Sequence, residues 1–241
     1  MNPKRRSRDE AKEMIEYYII KNKLEPHSKL PSERAMCNKW GFNRTTLRFA
    51  IKRLVIEGKL YQIKGSGTYI KEPKLIRNLQ DLKALSEIAK DKGLKLTSKV
   101  VSFDIIEGYK EVVQKLHLVL GHKIYVLTRI RYIENEPTAI EMSFLDYERF
   151  KGLDKYDFSK ASLYSIIEDK YNVTIERGKE KVGISYATDH ESQLLNIKKN
   201  QGVFYLSGVI YDNYDTPVEY IKSIIRPDKI GFSSILRREK G

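Results

Sequence analysis

The stretch Leu30–Ile70 reads LPSERAMCNKWGFNRTTLRFAIKRLVIEGKLYQIKGSGTYI, and its punctuation organises the chain. Ser32 after Pro31 is a helix N-cap, because its hydroxyl can accept from a backbone N–H that the first turn leaves unpaired. Gly41 stands where a C-terminal cap belongs. Ala35, Met36 and Trp40 between them are expected to face a core. Asn43 caps the next helix and Gly58 closes it. Leu47, Ala50, Ile51, Leu54 and Val55 form its apolar face, and Arg44, Thr45, Arg48 and Lys52 fall on the other side. The turn between the two helices is very short, so they must cross steeply. That is helix-turn-helix geometry, with the N-terminal end of the second helix exposed. Leu60-Tyr61-Gln62-Ile63 and Thr68-Tyr69-Ile70 are predicted strands around a tip, Lys64-Gly65-Ser66-Gly67, whose glycines permit the positive φ of a tight hairpin.

The residues this arrangement exposes suit a nucleic-acid duplex. Arg44 and Arg48, one helical turn apart, can reach guanine edges or phosphates. Thr45 and Thr46 are short hydroxyl donors beside a helix N-terminus, whose backbone N–H groups also attract phosphate. A solvated helix face would explain the cap, but not two Arg and two Thr in the first turn and a half. The glycine-rich tip with Lys64 can approach a DNA backbone or enter the minor groove. A nucleotide-binding loop is the rival reading, but the GxxxxGK[ST] spacing and its following helix are absent. Charge points the same way. The net charge is +13, and residues 1–75 hold 18 Lys/Arg against 8 Asp/Glu, whereas the remainder holds 27 against 24. A basic end on a near-neutral body fits a polyanion partner, although a merely solvated surface would give the same counts.

At 241 residues with 41% hydrophobic content, the chain can bury one large core or two ordinary ones. Ala11, Met14, Ile15, Tyr18 and Ile19 predict an amphipathic helix over residues 8–23. Cys37 is the only cysteine, which excludes an internal disulfide framework and fits a reducing compartment. It reads as a small, at least half-buried hydrophobe rather than a reactive thiol. No apolar run reaches membrane-spanning length, and the basic start MNPKRRSRDE leads into an amphipathic segment, not a signal-peptide core. The expected location is the cytoplasm, with no membrane partner. His27, His117, His122 and His190 are scattered without metal-ligand spacing, and there is no GxSxG, Cys–His pairing or dinucleotide loop. No metal, no cofactor and no enzymatic activity are expected.

The order of an initial helix, LPSER, Asn-Arg-Thr-Thr-Leu-Arg, Glu-Gly-Lys-Leu and Gly-Ser-Gly-Thr resembles the winged helix-turn-helix of the GntR family of bacterial transcription regulators, over residues 8–71. The resemblance implies DNA contacts by the residues matching Arg34, Arg44, Thr45, Thr46, Arg48 and the wing glycine Gly65. Asn43 stands where the family often has Ser or Thr. Lys64, Ser66 and Gly67 complete the expected DNA-facing set. The domain boundaries expected are 1–71 for DNA binding, 72–78 for a linker around Pro73, and 79–241 for a second domain.

That second domain opens on a predicted helix over residues 80–92, with Leu82, Leu85, Ile88 and Ala89 inward and Gly93 at its end. An internal repeat follows. LHLVLGHKIYVLTRIRY (116–132) aligns with LNIKKNQGVFYLSGVIY (195–211), so that Leu127, Thr128 and Tyr132 meet Leu206, Ser207 and Tyr211 at one constant offset. A one-residue shift in the turn then aligns Pro137 with Pro217 and Ser143 with Ser223. Each copy reads as a short helix, a long strand, a turn and a second strand, which implies an antiparallel sheet with pseudo-two-fold character. The copies differ informatively. Arg129 and Arg131 in the first become Gly208 and Ile210 in the second, so the strand does not need arginine there to fold. Period two puts both arginines on one face, and one hairpin register sets Arg129 opposite Glu141. Such a cluster on an inner face is costly unless paired or occupied by a ligand. A surface ion-pair ladder is the alternative.

Arg-x-Arg on a strand, a following Glu and Ser162-Leu163-Tyr164 at a helix start resemble the UTRA effector-binding domain of the HutC branch of GntR regulators, over about residues 79–236. The resemblance implies an α+β chain: an N-terminal winged helix-turn-helix plus a C-terminal chorismate-lyase-like domain, an antiparallel β-sheet with flanking helices. It implies a small anionic effector, such as a phosphorylated sugar, held by Arg129, Arg131 and Ser162. Glu141, Tyr164 and Tyr220 would hold its polar remainder, and Thr97 and Ser98 would lie on an effector-contacting loop. The expectation is a homodimeric, effector-released repressor of a double-stranded DNA operator. Two rivals stay open: a DNA-binding protein whose second domain only dimerises, and an enzyme with a regulatory DNA head.

Overall fold

The computed structural model describes residues 7–236, and the chain divides into two units, Met1–Lys74 and Leu75–Gly241. In the first, α1 (Ser7–Lys21), α2 (Glu33–Trp40) and α3 (Arg44–Ile56) precede a hairpin of β1 (Leu60–Ile63) and β2 (Gly67–Ile70). The caps are the ones the local sequence demands. The Ala35 N–H donates to Ser32 Oγ at 3.2 Å and the Thr46 N–H to Asn43 Oδ1 at 2.8 Å. Gly41 takes φ +74°, a left-handed conformation that costs glycine nothing, and its N–H closes on the Cys37 carbonyl. Ala11, Ile15, Met36, Leu47, Ala50 and Leu54 are almost fully buried, with Tyr18, Cys37 and Trp40 packed against them. Ala35, expected inward, is exposed, because the short α2 turns only Met36 fully into the core. The hairpin pairs Leu60 with Ile70 and Ile63 with Gly67. The Leu30 N–H donates to the Thr68 carbonyl at 2.8 Å and the Ile70 N–H to the Ser28 carbonyl at 3.0 Å. The chain entering α2 therefore anchors the wing to the helices.

The second unit is a six-stranded antiparallel sheet in the order β4-β5-β6-β9-β8-β7. Before it come β3 (Leu75–Asn78) and α4 (Leu85–Asp91). The first half of the sheet is β4 (Leu96–Glu107), α5 (Lys110–Lys115), β5 (Lys123–Ile133) and β6 (Glu136–Asp146), followed by a 3-10 turn at Leu153–Lys155 and α6 (Leu163–Tyr171). The second half is β7 (Ile175–Tyr186), α7 (Asp189–Leu195), β8 (Gly202–Asp212) and β9 (Pro217–Ile225), and β10 (Ile230–Ser233) closes the described chain. The repeat is thus larger than its sequence trace: each copy is β-α-β-β, and β6 meets β9 at the centre. Alternation along the strands separates two faces. Ile88 and Ala89 of α4 and Leu163 and Ile167 of α6 pack on one, Val112 of α5 and Leu195 of α7 on the other.

Two boundaries differ from expectation. Residues 75–78, expected as linker, form β3, which pairs in parallel with β10; Leu75 is buried and anchors it. The helix expected from residue 80 begins only at Leu85. Asn78 Oδ1 and Asp81 Oδ1 accept from the Gln80 and Lys83 N–H groups at 3.1 Å each, so short polar side chains satisfy the backbone locally and hold it out of the helix. None of the described helices is long and apolar enough to cross a membrane.

The cap at Asn43 gives a direct stability test. Asn43→Ala lowers the unfolding free energy by about 1 kcal/mol in urea denaturation, and Asn43→Ser recovers most of it, because a serine hydroxyl can accept the same N–H.

Candidate functional site

Arg34, Arg44, Thr45 and Arg48 are all exposed, as are Lys64, Gly65 and Ser66 at the wing tip, with Gly67 half-exposed. Gly65 has φ +77°, which glycine alone adopts freely and which keeps the tip tight. Asn43 is exposed, but its Oδ1 is committed to the cap. Arg48 Nε donates to Glu33 Oε2 at 2.7 Å, tying the exposed side of α3 to α2 while two-thirds of the side chain stays in solvent. Thr46 corrects the sequence reading. It is only 7% exposed, because residues 46, 50 and 54 lie on one inward stripe. Its backbone N–H serves the helix entrance, and its side chain is buried. The sequence reading also passed over Phe49, which sits exposed on α3 with the Arg8 guanidinium 4.4 Å from its ring centre. A phenylalanine near an apolar stripe gives no sign in the sequence that it faces out.

The second unit holds a cavity of about 200 Å³ over the sheet face that carries α4 and α6. Thr97 and Ser98 of β4, Arg129 and Arg131 of β5, Glu141 of β6 and Ser162 and Tyr164 at the start of α6 all line it. The register sets Arg129 opposite Glu141 and Ser98 opposite Arg131. Arg129 and Arg131 are 5% and 6% exposed, and one carboxylate stands between them: Glu141 Oε2 lies 3.3 Å from Arg129 Nη2 and 3.5 Å from Arg131 Nε. The Nε atoms of both arginines are buried and make no hydrogen bond, Arg131 Nε meeting Glu141 Oε2 only at the 3.5 Å of an ion pair. Buried polar atoms are nearly always satisfied, so two buried guanidinium groups that share one carboxylate and leave their Nε–H groups without a hydrogen bond mark a place built to be filled.

The electrostatics are uneven. Burial pushes the Glu141 carboxyl up, but Arg131, Arg129 and Arg77 together outweigh it and hold the group below the usual glutamate range. Burial lowers Arg131, with Glu141 only partly opposing. Glu219, fully buried, is raised by desolvation, which the Ser143 hydroxyl, the Tyr164 hydroxyl at 2.7 Å and the Arg129 charge do not cancel. Tyr164 is itself held well above its ordinary value by burial. One carboxylate, Glu141, stands between the two buried guanidinium groups, and burial disfavours the charged form of Glu219, so the cluster is short of negative charge and suited to an anion.

Tyr220 corrects a second expectation. It lies on the opposite sheet face, where its hydroxyl donates to Glu111 Oε1 at 2.6 Å and its ring stacks on Phe144 with centroids 5.6 Å apart. Period two decides this: Glu219, Ile221 and Ser223 take the cavity face of β9, so residue 220 cannot. The reading from sequence passed over Glu219 for the same reason, although its spacing from Ser223 was a usable signal. It also missed Arg77 and Glu180, which line the cavity and pair at 2.8 and 2.9 Å through both carboxylate oxygens. They are more than a hundred residues apart, and no local pattern joins them. Among the described residues, no group of three His, Cys, Asp or Glu is placed to hold a metal.

The UTRA domain family matches residues 91–230, and the bacterial regulatory proteins of the gntR family match residues 7–70. The chain belongs to the GntR family. It joins a GntR winged helix-turn-helix to a UTRA domain, the HutC-type combination, and is a DNA-binding transcription regulator, not an enzyme. The transcriptional repressor NagR of Bacillus subtilis is 32% identical over 94% of this chain and 93% of its own length. The mannosyl-D-glycerate transport/metabolism system repressor MngR of Escherichia coli is 27% identical over 93% of each. The crystal structure of PhnF from Mycobacterium smegmatis shares the fold, with a TM-score of 0.73 at 22% identity over 95% of this chain and all of that one.

The raised Glu219 predicts a pH signature. Its native value lies above the ordinary 4.5, so the native state loses stability relative to the unfolded chain as pH rises through the window between the two. Glu219→Gln therefore raises the melting temperature at neutral pH and leaves it nearly unchanged below pH 4.5, where both side chains are neutral, as scanning calorimetry at the two pH values will show.

Proposed function

We propose that this GntR regulator is a homodimeric repressor whose C-terminal part, from Leu75 on, dimerises and binds a small anionic metabolite. Residues 1–71 carry the operator-reading surface. The observation that carries the ligand reading is the pair Arg129 and Arg131: buried, sharing the single carboxylate of Glu141, and replaced by Gly208 and Ile210 in the other copy of the repeat. A fold that dispenses with arginine in one copy keeps two in the other for something besides folding. Arg129, Arg131 and the Ser162 hydroxyl at the α6 start form the anion subsite. Glu141, Glu219 and Tyr164 offer donors and acceptors to the polar remainder, with Thr97 and Ser98 at its edge. A phosphorylated sugar fits that mixture. Relatives named for mannosyl-D-glycerate and fructoselysine operons support a carbohydrate-derived effector.

On DNA, Arg44 and Arg48 read base edges or phosphates from the recognition helix α3, Arg34 and Thr45 contact the backbone, and the Lys64–Gly67 tip lies near the minor groove. Asn43 acts through its cap, and Thr46 through its backbone N–H. Two such heads address a roughly palindromic operator in the cytoplasm. The effector acts by binding the two dimer arrangements with different affinity.

Arg44→Ala weakens operator binding by roughly 1–3 kcal/mol in salt-controlled gel shifts. Arg131→Ala leaves operator binding intact and abolishes release by the inducing compound, found by native mass spectrometry of ligand retained through purification and checked by calorimetry against hexose 6-phosphates and inorganic phosphate. Normal induction of Arg131→Ala overturns the anion site. No heat with any phosphorylated compound, together with intact operator binding, leaves the C-terminal unit a dimerisation domain alone.

A further inference from the structure

Phe49 stands on α3 among charged and hydroxyl side chains, and 43% of it stays exposed. At about 100° per residue, Thr45 and Lys52 point almost the same way, straight out from the buried stripe through Leu47, Ala50 and Leu54. Arg48 lies roughly 60° to one side of Thr45, and Phe49 roughly 40° to the other. The outward face of α3 is therefore cationic on one flank and aromatic on the other. A neighbouring helix holds each flank. Arg48 Nε donates to Glu33 of α2 at 2.7 Å, and the Arg8 guanidinium of α1 sits over the Phe49 ring, 4.4 Å from its centre.

Helix packing does not ask for this ring. Buried Ala11, Ile15, Leu47 and Leu54 already join α1 to α3, as do the ion pairs Asp9–Arg53 at 2.8 Å and Lys12–Glu57 at 2.7 Å. Ile56 is also exposed on α3, but it is the last residue, about three turns beyond the end that enters a groove. Phe49 lies in the second turn, beside the reading residues. Its surroundings select the occupant. Arg8, Arg48 and Lys52 are exposed neighbours of the ring, so a polyanion suits this surface, and an apolar protein partner would have to strip all three of water. The apolar group that a DNA major groove offers is the 5-methyl of thymine, and phenylalanine is among the side chains that meet it.

We infer that Phe49 reads one thymine in each operator half-site through its 5-methyl group, and that Arg8 is the positioning residue that holds the ring toward the groove. This rests on the operator reading proposed above. It adds what the arginines cannot supply. A guanidinium on α3 selects guanine, whereas a methyl contact separates thymine from cytosine. The two kinds of contact thus divide the half-site between G·C and T·A pairs.

The test removes the methyl group and nothing else. The full wild-type chain selects a duplex from a random pool, and each thymine of that duplex is replaced in turn by deoxyuridine, which pairs in the same way but lacks the 5-methyl. Fluorescence anisotropy at fixed salt compares the duplexes. The wild type loses about fourfold in affinity at one thymine of each half-site, the worth of one buried methyl group. Phe49→Ala binds the thymine and uracil duplexes equally there, and Arg8→Ala gives a ratio between the two. Each ratio is taken within one variant, so any loss of folded protein cancels. A wild type indifferent to every replacement, or Phe49→Ala with the wild-type ratio, overturns the thymine contact. Arg8→Ala with the full ratio overturns the positioning role. Arg44→Ala on the same duplex separates the two readings: weakened binding keeps the recognition helix even where the thymine contact fails, and normal binding overturns the operator reading along with it.

Discussion

Two guanidinium groups sit almost wholly out of water on one sheet face, with a single carboxylate between them at 3.3 and 3.5 Å. That arrangement governs the C-terminal unit. Isolated charges are expensive to bury, and Glu141 cannot saturate two arginines at once. Glu219, which would supply the second negative charge, is driven toward its neutral form by the same burial that isolates the arginines. The cluster therefore keeps a deficit of negative charge in a low-dielectric pocket, where an incoming anion gains more than it would at a surface. Tyr164 and the Arg77–Glu180 pair seal the walls with hydrogen bonds of their own, so the deficit is not relaxed from within.

The duplicated β-α-β-β unit makes this possible. Two copies of one plan give a symmetric sheet whose stability comes from the apolar residues they share, such as Leu127 and Leu206, both fully buried. The symmetry is then broken where function needs it. One copy takes Arg129 and Arg131 where the other has Gly208 and Ile210. A Cβ on Gly208 would come within 2.6 Å of Glu180 Cγ, so the small residue there keeps room for the carboxylate that holds Arg77.

Local rules reached far in the N-terminal unit. Ser32, Gly41 and Asn43 occupy the cap positions their chemistry dictates, since capping is decided by bonds spanning three or four residues. They failed where a residue's direction depends on how the helices pack. Thr46 looked like a donor beside the helix entrance, yet it belongs to the buried stripe of α3. In the C-terminal unit, period two was enough to predict that Arg129 faces Glu141, while applying it to β9 needed the register of the whole sheet, and Tyr220 was assigned to the wrong face. The linker was misjudged because β3 exists only through its partner β10, some 150 residues later.

The sequence by itself determined the two-part plan, the capped reading helix, the repeat and the pair of arginines that the fold does not require. All of these follow from short-range periodicity, turn chemistry and comparison of one copy with the other. Tertiary structure alone decided that Glu219, Glu180 and Arg77 join the cavity, and that Glu219 is raised while Glu141 is lowered. Those are consequences of burial and of contacts between distant strands. A chain read in one dimension holds the residue types but not the water they lose or the neighbours they gain.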